Sequence, residues 1–309
     1  MTGLLEETET KTIGQALVDA YRDRRHNAQK VTVDLQRKDI TQVAQLAHQP
    51  LLSAGAPQAV GLPVRGRLVP VAPFSGGAIS YVRENPAMSP GLGGIEMAVA
   101  EGALKPEFSP VYQGITDGVK TFAVTFKISK QSMDDAGFLA EMITQKARTA
   151  LSQKIDNEII LGTDGVLHLQ GIMPLAATGP TGTTTAGAIG AAYAQLMAAG
   201  YVPDGIVFDG AAAGVLIGSG SLGLAADFNP QTGTLWGMRM AAITGSMGGN
   251  FLIGQFAGNS ILLEREEITA TIALMNEDDF THNLATVRVE ERSVLAVINY
   301  GAFLKCAVV

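Results

Sequence analysis

Between Ala78 and Lys130, two alternating segments flank a stretch in which little can pack. "AISYVRE" (residues 78–84) alternates as a strand does. "VKTFAVTFKISK" (119–130) sets Val119, Thr121, Ala123, Thr125 and Lys127 on one face and Lys120, Phe122, Val124, Phe126 and Ile128 on the other. Between them lie "NPAMSPGLGG" and "EGALKPEFSPVYQG", rich in Gly, Pro and Ser, with Lys105 set between Leu104 and Pro106. Two strands with so few large apolar residues near their tip do not hold together alone in water. The sequence therefore predicts a long hairpin, paired between 78–84 and 119–130, that needs a surface to lie on.

The rest of the chain can supply a core. Of 309 residues, 47% are hydrophobic and 17% charged, which excludes a disordered chain. "DDAGFLAEMITQKARTALSQKIDNEIILG" reads as one long helix. Leu139, Met142, Ile143, Ala147, Ala150, Leu151, Ile155 and Ile159 form its apolar face, Asp134 and Asp135 are cap candidates, and Gly162 closes it. Residues 12–48 read as helix-prone, with Ile13, Ala16, Leu17 and Tyr21 at helical spacing; residues 49–77, broken by Pro and Gly, suit an extended tether. After "ATGPTGTTTAG", two short helices ("AIGAAYAQLMAAGY", "AAAGVLIGSG") enclose the buried strand "DGIVFD". Then "GMRMAAIT", "NFLIGQF", "SILLERE" and "ITATIALM" read as separate strands, and the last 26 or so residues as a bent strand region. The interleaving is irregular, without a βαβ repeat, so the class is α+β.

Several function classes are disfavoured. A formal charge of −7 is wrong for a protein that works by neutralising phosphates. One cysteine, Cys306, allows no internal disulfide framework, and His26, His48, His168 and His282 are not at metal-ligand spacing. There is no P-loop, no dinucleotide fingerprint after a strand and no nucleophile elbow. The N-terminus carries acids where a signal peptide needs a basic then apolar start, and no apolar run is long enough to span a bilayer. "NEDDF" (276–280) reads as a solvated turn, "VEER" (289–292) as a charge ladder on a strand, and Trp236 as a packing anchor at a loop end. No cofactor or metal is expected. Chemistry this thin, beside a long hairpin, tether and helix, suggests a chain that interlocks with its own copies.

Six stretches, in order, carry a resemblance. They are "SYVRE" (Ser80 to Glu84), "EGALKPE" (Glu101 to Glu107), "SKQSMDDA" (Ser129 to Ala136), "NEIILGTDG" (Asn157 to Gly165), "LWGMRM" (Leu235 to Met240) and "DDFTHNLATVRVEERSVLAV" (Asp278 to Val297). With them the chain resembles the major capsid proteins of tailed bacteriophages with the HK97 fold. The resemblance implies an N-terminal arm and tether over 1–77, an E-loop over 78–128, and a spine helix with the first part of the P domain over 129–179. It implies an A domain over 180–263 and the return strands of the P domain over 264–309. It implies self-assembly into pentamers and hexamers of an icosahedral virion shell around double-stranded DNA, put together in the host cytoplasm. A portal, a separate scaffold protein (Met1 stands close to the arm, so no scaffolding segment fits before it) and a decoration protein are the implied partners. DNA would be held weakly and no membrane is involved. The alternative within the fold is an encapsulin-like nanocompartment enclosing cargo protein.

The same resemblance implies the residues at contacts between subunits: Lys105, Glu107, Arg83 and Glu84 of the E-loop, and Ile13, Leu17 and Tyr21 of the arm. In relatives that cross-link their shells, a lysine attacks a neighbour's asparagine and an acid assists; the matching set here is Lys105, Asn283 and Glu290. An exposed lysine is protonated at neutral pH, and desolvation on docking favours its neutral form. Docking without a covalent bond is the expected role, cross-linking the alternative.

Overall fold

The computed structural model describes residues 31–34, 62–84, 111–130, 137–163, 165–218, 228–229, 232–274 and 279–309, of which 31–34, 137–142, 215–218 and 228–229 by backbone alone. In chain order the elements begin with β1 (Val31–Asp34), β2 (Val71–Pro73), β3 (Ala78–Glu84), β4 (Tyr112–Gly118), β5 (Lys120–Ser129) and helix α1 (Gly137–Leu161). Then follow α2 (Ile172–Leu175), β6 (Ala177–Thr178), α3 (Thr185–Ala198), β7 (Gly205–Asp209) and α4 (Gly210–Gly218). The chain ends with β8 (Phe228–Asn229), β9 (Thr234–Leu235), β10 (Met238–Ile243), β11 (Asn250–Gly254), β12 (Ser260–Ala273), β13 (Leu284–Val297), a 3₁₀ turn (Tyr300–Ala302) and β14 (Phe303–Ala307). Two compact units divide them: Met1–Ala59 with Thr121–Leu151 and Glu266–Glu291, and Val60–Lys120 with Ser152–Arg265 and Arg292–Val309.

The first unit holds one end of a sheet ordered β1-β12-β13-β5. β1 runs antiparallel to β12, Val31 opposite Ile272. β5 is two-faced, as its alternation requires: Phe122, Val124 and Phe126 are half-buried and Ile128 buried, while Thr121, Ala123, Thr125 and Lys127 are exposed. In β13, Ala285, Val287, Val289 and Glu291 are buried alternately, and from Ser293 to Val297 every residue is buried. That change from alternating to continuous burial is the change from a half-covered strand to one covered on both faces. It falls beside the boundary between the two units, after Glu291.

The second unit is built on a seven-stranded sheet ordered β6-β14-β11-β7-β10-β9-β8. β7 lies at its centre, parallel to β10 and antiparallel to β11, and all five of its residues are buried. A core of Ile206, Phe208, Met240, Phe251 and Leu304 packs with Ala188, Ile189, Ala192 and Leu196 of α3. Phe208 and Phe251 meet at 5.7 Å between ring centroids, and Phe256 and Phe303 meet edge-on at 5.1 Å. Thr184 caps α3, its hydroxyl accepting from the Gly187 N–H at 3.1 Å. The last turns of α1 are fixed by Ile155, Ile159 and Ile160, all fully buried. Asp156 accepts there from the Val64 and Arg65 amides at 3.2 and 3.0 Å, and Arg65 meets Glu264 at 3.2 Å. Gly162 ends the helix because a Cβ there would lie 2.1 Å from the Leu169 carbonyl oxygen.

Several expectations are corrected. β3 pairs with β4, in register from Ala78 opposite Gly118 to Glu84 opposite Tyr112, and not with 119–130. The 120–129 segment carries Phe122, Val124 and Phe126, which need a core, so it joins the larger sheet beside β13 and leaves the polar "YQGITDG" to close the hairpin. Within the helix-prone stretch, Val31–Asp34 is a strand, as two β-branched valines and a threonine favour; the rest of it lies outside the described residues. "SILLERE" and "ITATIALM" form one strand, β12. Arg265, Glu266 and Glu267 stand exposed within it rather than breaking it. On α1 the expected stripe holds at Leu151, Ile155 and Ile159, which are buried, but Ala150 is exposed and Thr144 is buried beside it. Glu291 is fully buried, which no solvated ladder would give.

Asp209 joins two parts of the second unit. Its carboxylate accepts from the Ala212 N–H at 2.8 Å, capping α4, and from the Met247 N–H at 2.8 Å. Asp209→Ala leaves one helix donor and one buried amide unsatisfied. It is expected to lower unfolding free energy by roughly 2–4 kcal/mol in urea titration; a loss under about 0.5 kcal/mol, the size of an ordinary surface substitution, would contradict this role.

Candidate functional site

The inner face of the β3–β4 hairpin carries a chain of polar contacts. Period-two alternation puts Tyr81 and Arg83 on one face of β3, and the register puts Asp117 of β4 there too, opposite Ile79. Arg83 is only 6% exposed. Its Nε donates to the Val297 carbonyl at 2.8 Å and its Nη2 to the Tyr81 hydroxyl at 2.7 Å, and its guanidinium carbon lies 5.5 Å from the Tyr81 ring centroid. The Tyr81 hydroxyl donates to Asp117 Oδ2 at 3.0 Å and accepts from the Val297 N–H at 3.4 Å. Burial raises the Tyr81 phenol above its ordinary value, against the pull of Arg83.

Beside this chain, the backbone of Glu84 bridges to Asn299. Asn299 Nδ2 donates to Glu84 Oε2 at 3.3 Å and to the Tyr201 hydroxyl at 2.9 Å, and its Oδ1 accepts from the Gly301 N–H at 3.0 Å. At the other end of the hairpin, Lys120 Nζ donates to the Gly165 carbonyl at 2.7 Å and to that of Val166. Arg83, expected at a contact between subunits, faces inward on its strand, and Glu84, expected there too, alternates to the face of Val82 and Tyr112 and is held by Asn299. The residues missed by the sequence reading are Tyr81, Asp117, Val297 and Asn299. The signal for one of them was present, since Tyr81 alternates in phase with Arg83.

The opposite face of the hairpin is uncovered. Val82 and Tyr112, on that face with Ser80 and Thr116, are 60% and 61% exposed. Ser80 and Thr116 hydroxyls meet across the strands at 2.9 Å, and Gly114 has nothing within 4 Å of where a Cβ would stand. β3 and β4 touch each other far more than they touch any other element. Lys105 and Glu107 lie outside the described residues, as do Ile13, Leu17 and Tyr21.

In the first unit, Asn283 precedes β13 in a tight turn at φ 57°, a conformation that asparagine tolerates. Its backbone N–H donates to Phe280 at 3.4 Å, and its carbonyl accepts from Lys130 at 2.9 Å; its side chain stands in an exposed residue. Glu290 lies on β13 and pairs with Arg288 at 2.8 Å. The structure does not bring Asn283 and Glu290 together on one strand face, since only Glu290 is in the strand. Nearby, the turn expected to be solvated holds a wholly buried carboxylate. Asp279 receives Lys127 Nζ at 2.8 Å and the Thr286 hydroxyl. These donors, Lys127 first, hold the Asp279 carboxyl below its ordinary value despite burial.

The fold is that of phage capsid shells. The chain belongs to the phage capsid family, whose model matches residues 67–308. It is 28% identical over 240 residues to the major capsid protein of Enterobacteria phage HK97, which covers 75% of this chain and 61% of that protein. The chain thus spans about three fifths of that relative's length. A solved structure from Mycobacterium phage Bobi superposes with a TM-score of 0.62 at 18% identity, over 90% of this chain and 99% of that one. A chain in the structure of Phage G gp27 major capsid proteins and gp26 decoration proteins gives 0.63 at 9% identity, over 86% of this chain and 99% of that one. The HK97-like α+β fold expected from the motifs is the one observed.

A carboxyl held low in the folded state stabilises above its unfolded pKa, about 3.9, and loses that contribution as pH falls through the folded value. Thr286→Val removes one donor to Asp279 without changing side-chain shape. Its acid-unfolding midpoint, followed by circular dichroism, is expected at higher pH than that of the unaltered chain; coincident midpoints would show that the donor does not hold Asp279.

Proposed function

We propose that this chain is a major capsid protein that self-assembles into an icosahedral shell enclosing phage double-stranded DNA. The observation that carries the reading is a hairpin anchored on its inner face by its own chain while its outer face, with Val82 and Tyr112, is uncovered. In a shell, a neighbouring subunit covers such a face. Family membership and relatives that are phage capsids favour this over the encapsulin-like alternative.

On this reading residues 78–128 are the E-loop, 129–179 carry the spine helix and the start of the P domain, 180–263 form the A domain and 264–309 return to the P domain. Residues 1–77 form an arm and tether, whose Ile13, Leu17 and Tyr21 bury against a neighbour. Subunits gather as pentamers and hexamers in the host cytoplasm, with a scaffold protein and a portal. The Phage G structure holds gp26 decoration proteins beside gp27, which supports an outer partner here as well. A net charge of −7 suits a lumen that holds DNA without gripping it.

Lys105 and Glu107 dock the hairpin on the neighbour, while Arg83 and Glu84 serve that contact by fixing the hairpin to its own subunit next to the connecting segment. Asn283, exposed in its turn, and Glu290 are the groups that Lys105 of another copy would meet. Electron microscopy of the expressed chain is expected to show closed particles, and denaturing electrophoresis of mature particles to show monomer only. Absence of any particle, with or without a co-expressed scaffold, would defeat the shell reading. A ladder of multimers lost in Lys105→Ala would replace docking by a covalent bond.

A further inference from the structure

Between α1 and α2 the chain makes an excursion whose two ends are Gly162 and Gly171, joined where the Gly171 N–H donates to the Gly162 carbonyl at 2.9 Å. Neither end has room for a side chain. A Cβ at Gly162 would lie 2.1 Å from the Leu169 carbonyl oxygen, and one at Gly171 would lie 2.5 Å from the Gly162 nitrogen. Leu169, beside this neck, is buried, whereas Val166 and Leu167 are 73% and 81% exposed. Apolar packing therefore fixes the neck and leaves the position of the tip to polar contacts.

Those contacts come from two sides. On the side of α1, His168 Nδ1 lies 3.1 Å from both carboxylate oxygens of Glu158, and Lys154, one turn earlier on the helix, meets the same carboxylate at 2.8 Å. Burial pushes the Glu158 carboxyl up, but Lys154 and His168 outweigh it and hold it below its ordinary value, so it is ionised at neutral pH. On the side of the hairpin, Lys120 Nζ donates to the Gly165 carbonyl at 2.7 Å and to that of Val166. Lys120 stands at the open end of the β3–β4 pair, where Ala78 faces Gly118 and the Val119 N–H donates to the Gly77 carbonyl at 3.0 Å. Gly165 lies against the same end: a Cβ on it would stand 3.7 Å from Asp117 Oδ1. All of these residues belong to the second unit.

We infer that residues 165–171 are a latch between α1 and the hairpin: Glu158 fixes the segment through His168, and the segment fixes the open end of the hairpin through Lys120. His168 and Lys120 are positioning residues, each acting on the hairpin's direction through the segment between them. Elements held by partly exposed polar bonds open at lower cost than a packed core, and the His168 side chain is half exposed. The latch can therefore open while the unit stays folded. The hairpin then keeps its bonds from Arg83 to Val297 and from Asn299 to Glu84, near its opposite end, and turns about them. The latch is a property of the single subunit and stands independently of the shell reading.

Amide exchange measured residue by residue on dissociated subunits tests this, with the Val119 N–H as reporter of the open end. Lys120→Met is expected to speed its exchange by at least about tenfold while the amides of β7 and β11 keep their rates. His168→Ala, made on the α1 side of the segment, is expected to speed the same Val119 amide, again without change in β7 and β11. Because both act through one latch, the double variant is expected to exchange no faster at Val119 than Lys120→Met alone. Unchanged Val119 exchange in either single variant would overturn the latch. So would effects that add in the double variant, or that reach β7 and β11 equally, which would mean a general loss of stability.

Discussion

A buried guanidinium sets the direction of the β3–β4 hairpin. Arg83 is almost wholly out of water, and its partners are a carbonyl, a phenol and that phenol's ring rather than a carboxylate. The nearest acid in the chain of bonds is Asp117, one hydroxyl further on. Charge of one sign, buried at this depth, is tolerable only when its donors are aimed at fixed acceptors. Val297 is such an acceptor because it ends a strand segment buried on every residue. Strand burial thus fixes the carbonyl, the carbonyl fixes Arg83, and Arg83 with Tyr81 and Asp117 ties both hairpin strands to one point. A two-stranded sheet without a core is marginal; this one is pinned along its inner face and bare on its outer face.

The same division between a satisfied interior and an unsatisfied surface recurs elsewhere. Carboxylates inside the units are consumed by amides or cations: Asp156 by Val64 and Arg65, Asp209 by Ala212 and Met247, Asp279 by Lys127 and Thr286. Among the large apolar groups left outside, Val82 and Tyr112 sit on one hairpin face, and Val166, Leu167 and Phe280 in loops. For a chain with net negative charge, uncharged apolar contacts are the cheapest way for copies to meet. The proposed shell uses them for that purpose.

Much of this was legible in the sequence where periodicity and burial agree. The helix to Gly162, the central strand "GIVFD" and the alternation of β5 followed directly from the spacing of their apolar residues. The partner of β3 was not legible, because "YQGITDG" has weak strand character and is recruited only when β5 is drawn away by its own aromatic face. Asp279 and Glu291 were misread for a related reason. A local acid-rich pattern signals solvent, and only tertiary donors, Lys127 in the case of Asp279, make such burial tolerable. Of the expected contact residues, Arg83 and Glu84 are held by Val297 and Asn299, more than two hundred residues away in the chain, which no local pattern could show.

The central claim is that the hairpin is anchored by its own subunit and completed by another. Amide hydrogen exchange of dissociated subunits and assembled particles tests it directly. The account predicts that β3 and β4 amides exchange much faster than those of β7 and β11 in the subunit, and slow sharply on assembly. Hairpin amides already as protected as those of β7 in the isolated subunit would contradict it.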